Sequence, residues 1–168
     1  MKFNFLKKEF FDEYKECSEM EKKENRPYAC ITLVKCLGMT FAVPLRSNIQ
    51  HENAIFTNKE KTKGLDLTKA VIINDFSKFI DTTTKVYIND EEYKSLLGKE
   101  DFLSKKLETY IKKYKKALKN PEIPKNNILL KYSTLQYFHK ELSIGEELAN
   151  DSWEKKVQNN LKDLGLTK

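Results

Sequence analysis

ACITLVKCLGMTFAVPL, residues Ala29 to Leu45, decides the fold: two stretches of β-branched and apolar residues flank Leu37-Gly38-Met39, a turn signal. Strands are predicted over Ala29–Cys36 and Thr40–Leu45, paired as a hairpin, with Pro44 marking the end or an edge of the second. Upstream, a short strand is expected over Met1–Leu6. A helix over Lys7–Cys17 follows, its Phe10, Phe11 and Tyr14 sharing one face by three- and four-residue spacing. Residues 18–27 read as a charged, Pro-ended loop. Downstream, Arg46 to Lys63 is polar with few strand signals, and a loop of that length in a small domain is usually functional or mobile.

Val71–Ile73 and Lys85–Ile88 are further short strand candidates, the second ending in the Asn89-Asp90 turn signal. Asp90 is placed to cap a long helix to about Asn120, with an apolar stripe from Tyr93 and Leu96 through Leu107, Tyr110 and Tyr114 to Leu118, and with Gly98 as a point of division. Pro121 and Pro124 end it, Ile128–Lys131 reads as one more strand, and Ser133 caps a helix carrying Leu135, Phe138 and Leu142. Strands and helices do not alternate as in parallel α/β folds, so the expected class is α+β, an antiparallel sheet with packed helices. At 168 residues the chain suits a single domain.

The 31 Lys+Arg against 25 Asp+Glu give a net charge of +6, which favours polyanionic partners without naming one. Cys17, Cys30 and Cys36 form neither a disulfide framework nor a CxxC spacing, as expected of reduced thiols in a cytosol. No apolar run approaches the ~18 residues of a membrane span, and the start, MKFNFLKKEFFDEY, lacks a signal-peptide core. A cytoplasmic protein away from membranes is expected. With two distant histidines, no HExxH and only five glycines, neither a zinc centre nor a phosphate-cradling glycine loop is expected, and no cofactor.

PLRSNIQH, Pro44 to His51, is the best candidate site, because it brings an arginine, a serine, an asparagine and a histidine into one stretch leaving a strand. Cutting RNA without a metal needs a base for the 2′-hydroxyl, a cation for the pentavalent phosphorane and an acid for the leaving 5′-oxygen. Histidine titrates near neutrality, so His51 is the proton carrier; Arg46 grips phosphate, Ser47 donates a hydrogen bond to it, and Asn48 positions substrate. Against this, Arg-Ser-Asn is ordinary turn material and a lone loop histidine is commonly solvated. His139 is left out of the site as a packed or surface residue. Lys112, Lys113, Lys115 and Lys116 give the long helix a basic face that suits an RNA backbone, or equally a solvated surface pairing with Glu100 or Glu108. In GLDLTKAVII, Asp66 is read as a structural turn residue, and Lys69 either as part of that turn or as reaching the phosphate site.

FAVPLRSNIQH at Phe41–His51, GLDLTKAVII at Gly64–Ile73, Arg26-Pro27-Tyr28 and the Lys/Tyr helix together resemble the endoribonuclease toxins of type III toxin–antitoxin systems, the TenpN and CptN branch related to ToxN and AbiQ. The resemblance extends over most of the chain and is most specific in PLRSN followed by His. It implies a twisted antiparallel sheet like that of the Kid and MazF toxins. It also implies metal-free cleavage of single-stranded cellular mRNA, with adenine-rich targets. The implied partner is a cognate antitoxin RNA, a repeated pseudoknot that the toxin cuts from its precursor and that then blocks it, in a closed protein–RNA assembly. Ser47 matches the serine after Pro-Leu-Thr in ToxN, and Arg46 stands where that branch has threonine. Ile49 and Tyr28 stand where ToxN has lysines. Arg46 and His51 would then supply the missing charge and proton transfer, with Tyr28 positioning or sharing a proton and Lys35 a weaker phosphate contact. A non-catalytic RNA-binding module and a structural protein without nucleic acid stay open as alternatives.

Overall fold

The computed structural model describes residues 1–20 and 30–145. It is an α+β protein whose described strands form one seven-stranded antiparallel sheet, with helices packed on it. The quoted hairpin is its centre: β2 (Cys30–Cys36) and β3 (Met39–Arg46) pair from Ile31 opposite Pro44 to Cys36 opposite Met39. Leu37 and Gly38 connect them at φ +51° and +76°, a primed two-residue turn whose twist matches that of the strands. β1 (Phe3–Leu6) adds on the far side of β2.

Downstream of β3 the chain returns three times to the sheet. β4 (Ala54–Phe56) pairs with β5 (Gly64–Asp66), β5 with the end of β3, and β6 (Val71–Ile72) with its beginning. The stretch expected as a polar loop thus contains a strand, β4, too short to show an alternating pattern. β7 (Ile80–Asp81) pairs with β1 and completes the order β4-β5-β3-β2-β1-β7, with β6 also on β3. Lys85–Ile88, expected as a strand, is irregular: Asp81 accepts hydrogen bonds from Thr83 and Thr84, and Tyr87 is 86% exposed, so that segment has neither a ladder partner nor a buried face.

α1 (Lys8–Glu13) is shorter than the predicted Lys7–Cys17, and its Phe10 lies edge-on to Phe79 of α2 (Phe76–Phe79), ring centroids 5.6 Å apart. The long helix is divided where Gly98 predicts: α3 (Asp90–Leu96), capped by Asn89 rather than Asp90, stops at Leu97, and Gly98 takes φ +68°, the left-handed conformation that ends helices. α4 (Glu100–Leu118) buries Leu103, Leu107, Tyr110, Ile111, Tyr114 and Ala117 on one stripe, and Ser104 Oγ donates to the Lys35 carbonyl of β2 at 2.8 Å. α5 (Pro124–Tyr132) replaces the predicted strand at Ile128–Lys131. Pro124 starts this helix instead of only stopping the previous one, because the first helical N–H has no partner to lose. Ser133 opens a 3-10 turn, Thr134–Tyr137, in place of a longer helix, its Oγ accepting from the Leu135 amide.

The chain divides into two compact units, Met1–Tyr137 and Phe138–Lys168. Of the second, residues 138–145 are described; there the Leu142 amide donates to the Phe138 carbonyl and the Ile144 amide to the His139 carbonyl, both at 3.0 Å. No helix among the described residues is long and apolar enough to cross a membrane.

Candidate functional site

The site originates in a detour of the sheet. From the last residue of β5 to β6, residues 66–70 leave β3 opposite Val43 and Pro44 and wind one 3-10 turn, Leu67–Lys69. Peptide groups alternate sides along a strand. The Thr40 carbonyl accepts the Ile73 amide at 2.9 Å, so Pro44, four residues on, turns its hydrogen-less nitrogen to that same side. The missing donor falls where the detour leaves no ladder partner, which is where proline is tolerated in a sheet.

Asp66 caps that turn and is fully buried. Its Oδ1 accepts the Thr68 amide at 2.9 Å and the Thr68 hydroxyl at 2.7 Å; its Oδ2 accepts Arg46 Nη1 at 2.6 Å. His51 Nε2 stands 3.3 Å from Thr68 Oγ1 and 3.4 Å from Asp66 Oδ1. Burial on its own raises the Asp66 pKa. The hydrogen bonds from His51 and Thr68 and the charge of Arg46 together outweigh it, and hold the carboxyl below its ordinary range. One buried carboxylate therefore fixes both the guanidinium and the imidazole singled out in the sequence, and their side chains remain 24% and 35% exposed. With the Thr68 hydroxyl hydrogen directed to Asp66, Thr68 Oγ1 is an acceptor for His51, which calls for the Nε2–H tautomer. Nδ1 is then the lone-pair nitrogen; it is buried and without a partner among the described residues.

The remaining sequence candidates divide. Ser47 and Asn48 lie exposed in the turn directly after Arg46, Asn48 at φ +57°, and Ile49 is buried, its amide donating to the Thr62 carbonyl at 2.8 Å. Lys113 reaches the site loop, donating to Glu52 Oε1 at 3.0 Å and Asn53 Oδ1 at 2.9 Å, and the Asn53 carbonyl accepts the Leu67 amide at 3.1 Å. Lys113 thereby ties α4 to the segment that carries His51. Lys112 pairs with Glu108 along the helix at 2.6 Å, Lys115 is half-buried and Lys116 exposed. Lys69 Nζ meets Glu19 Oε2 at 2.5 Å, the Glu19 carbonyl at 3.3 Å and the Tyr132 carbonyl at 2.9 Å, so all three ammonium hydrogens have acceptors. Lys35, opposite Thr40, sits six residues along β3 from Arg46, about 20 Å at the rise of a strand, and is not part of this cluster. Tyr28 lies outside the described residues.

Asp66 is the member that sequence reading placed only as turn material, and Thr68 was not singled out at all. The signal was present in Asp66-Leu67-Thr68, an aspartate two residues before a threonine, which is a turn pattern; that the same carboxylate also collects Arg46 and His51 depends on register across the sheet. Beside the cluster lies a half-open cavity of about 220 Å³, to whose wall Arg46 and Lys69 contribute. Neither protein-family models, nor curated proteins, nor solved structures yield a match to this chain.

Proposed function

We propose that this protein is a metal-independent endoribonuclease that cleaves single-stranded RNA by attack of the 2′-hydroxyl on the adjacent phosphorus. The observation that carries the reading is the convergence of Arg46 and His51 on Asp66. His51 takes the 2′-hydroxyl proton on its lone-pair nitrogen, the O2′–P bond forms, and Arg46 balances the charge growing on the non-bridging oxygens. The P–O5′ bond then breaks, and the proton that His51 took from the 2′-hydroxyl passes through solvent to the 5′-oxygen. The products are a 2′,3′-cyclic phosphate and a 5′-hydroxyl, and no water is consumed. Asp66 acts as a positioning residue: it holds the imidazole tautomer and keeps the guanidinium turned to the phosphate. Ser47, directly after Arg46, donates to the same phosphate. The resemblance in PLRSN and GLDLTK extends the reading to a Kid/MazF-like toxin of a type III system, acting on cellular mRNA in the cytoplasm and held inactive by a pseudoknotted antitoxin RNA in a closed assembly.

One observation favours a second reading, a non-catalytic RNA-binding module: His51 Nδ1 is covered, and Nε2 is engaged by Thr68 and Asp66. Induced expression of the wild type and of a Ser47→Ala, His51→Ala double variant separates the two. Growth arrest with new RNA ends bearing cyclic phosphates in the wild type alone supports the nuclease. RNA binding by both proteins without new ends establishes the binding module instead.

A further inference from the structure

The cavity beside Arg46 has a composition unlike that of the Asp66 cluster. Phe10, Ile31 and Val71 contribute an apolar floor, while Ser18, Glu19 and Lys69 stand at its polar side. Ser18 is exposed, which places it at the mouth. The Glu19 carboxylate is 19% exposed and fixed in place by Lys69 at 2.5 Å, and the Glu19 amide donates to the Tyr137 hydroxyl at 3.3 Å. Arg46 belongs both to the wall of this cavity and to the cluster that holds His51. One guanidinium is therefore shared by an apolar slot of about 220 Å³ and the polar cluster.

A nucleotide has the same division, an apolar ring face on one side and a phosphate on the other. We propose that the cavity seats one unpaired nucleobase of the RNA strand while Arg46 holds the phosphate attached to that nucleotide, and that Glu19 accepts a hydrogen bond from an exocyclic amino group of the base. The proposal rests on the endoribonuclease reading and adds to it a base-selecting subsite. The base must be unpaired, because pairing occupies the edge that Glu19 reads and keeps the ring stacked out of reach. Adenine, guanine and cytosine carry an exocyclic amino group and uracil does not. All three Lys69 hydrogens already have acceptors, so Glu19 is the polar group that sets the preference: uracil presents a carbonyl oxygen where cytosine presents its amino group, and that oxygen and the carboxylate are both acceptors. The Lys69 charge offsets that of Glu19, which lets a carboxylate stand close to a polyanion.

The test is an equilibrium-binding scan with short oligoribonucleotides made uncleavable by a 2′-deoxy sugar at the scissile position, each with one abasic residue or one uridine at successive positions. The expected result is one position at which the abasic residue weakens binding by about 10-fold and uridine by a similar factor. Ser18→Trp, which closes the mouth from an exposed position, should bind the parent oligonucleotide as weakly as the wild type binds the abasic one. Glu19→Gln, which presents a donor as well as an acceptor, should bind the uridine and amino-bearing oligonucleotides alike. If the wild type cleaves the unmodified parent yet every abasic position binds equally, the base subsite is overturned and the nuclease reading stands. If base dependence at one position survives both variants, the subsite lies elsewhere on the protein. If the wild type neither binds nor cleaves RNA, the nuclease reading itself fails and the subsite fails with it.

Discussion

Arg46 Nη1 lies 2.6 Å from Asp66 Oδ2, and Asp66 has no exposed surface while the arginine side chain keeps about a quarter of its own. The pair is a buried carboxylate tied to a partly wet cation, so the two ends respond differently to change. Asp66→Asn removes the charge that Arg46 and His51 both face, and loss of one partner of a buried pair costs up to about 3–5 kcal/mol. Because Arg46 reaches solvent, the expected loss is about 2–3 kcal/mol. Urea unfolding of the variant and the wild type measures it, and equal midpoints would mean that Asp66 contributes nothing to the fold.

The same pair sets a pH dependence whose sign follows from the direction of the shift. The folded-state Asp66 pKa is held below the ordinary aspartate value of 3.8, so the unfolded chain takes up this proton first as pH falls. Its contribution is complete above that value and is lost as pH drops through the lower, folded-state pKa. Wild-type stability should therefore fall below about pH 4 more steeply than that of Asp66→Asn. Thermal melts between neutral pH and pH 3 or so provide the comparison, and parallel curves would remove Asp66 as the source.

How much of this was legible in the sequence depends on the length of each segment. The β2–β3 hairpin was readable because two runs of β-branched and apolar residues flank Leu37-Gly38, and the division of the long helix was readable because Gly98 has no side chain to oppose a left-handed turn. β4 and β5 span three residues each, less than two periods of alternation, so Ala54-Ile55-Phe56 was hidden in a polar stretch. Ile128-Leu129-Leu130 looks like a strand, yet no residue of α5 is buried; Pro124 and the local helical preference decide there, not a core. In the site, Arg46 and His51 could be picked out by chemistry. Their common partner could not, because Asp66 lies 20 and 15 residues away and meets them only through the β3–β5 register.

On its other side β5 pairs with β4, and that pairing depends on Gly64. A Cβ built there would stand 2.1 Å from the Ile55 carbonyl oxygen, a backbone atom of β4 that cannot move aside alone. Gly64→Ala should push β5 from β4, destabilise the protein by at least about 2 kcal/mol, and disturb Asp66 two residues on. The variant should lose RNA cleavage along with stability; a Gly64→Ala protein that melts like the wild type would show that β4 and β5 separate without cost.

Arg46→Lys keeps the charge and discards the planar fork. Asp66 retains a cation, so stability should change little, and RNA binding, which depends mainly on charge, should stay within about threefold. Cleavage should fall by about 10²–10³-fold, the usual consequence of losing a donor aimed at transition-state charge. Single-turnover kinetics beside equilibrium binding separates the two effects, and equal losses in both would make Arg46 a binding residue only.

His51 is the residue on which the two readings of this site diverge. Its Nε2 is oriented by Thr68 and Asp66, and Nδ1 has no partner among the described residues, an arrangement that leaves one lone pair ready for a donor such as the 2′-hydroxyl. Because Nδ1 is covered, the nuclease reading requires RNA to displace what covers it, and proton transfer then begins only in the complex. His51→Ala should lower the cleavage rate by about 10²–10⁴-fold while RNA binding stays near the wild-type value. If binding and cleavage fall together in His51→Ala, the imidazole serves to brace Asp66 and the site loop, and the proton carrier has to be sought among other residues that reach the phosphate held by Arg46.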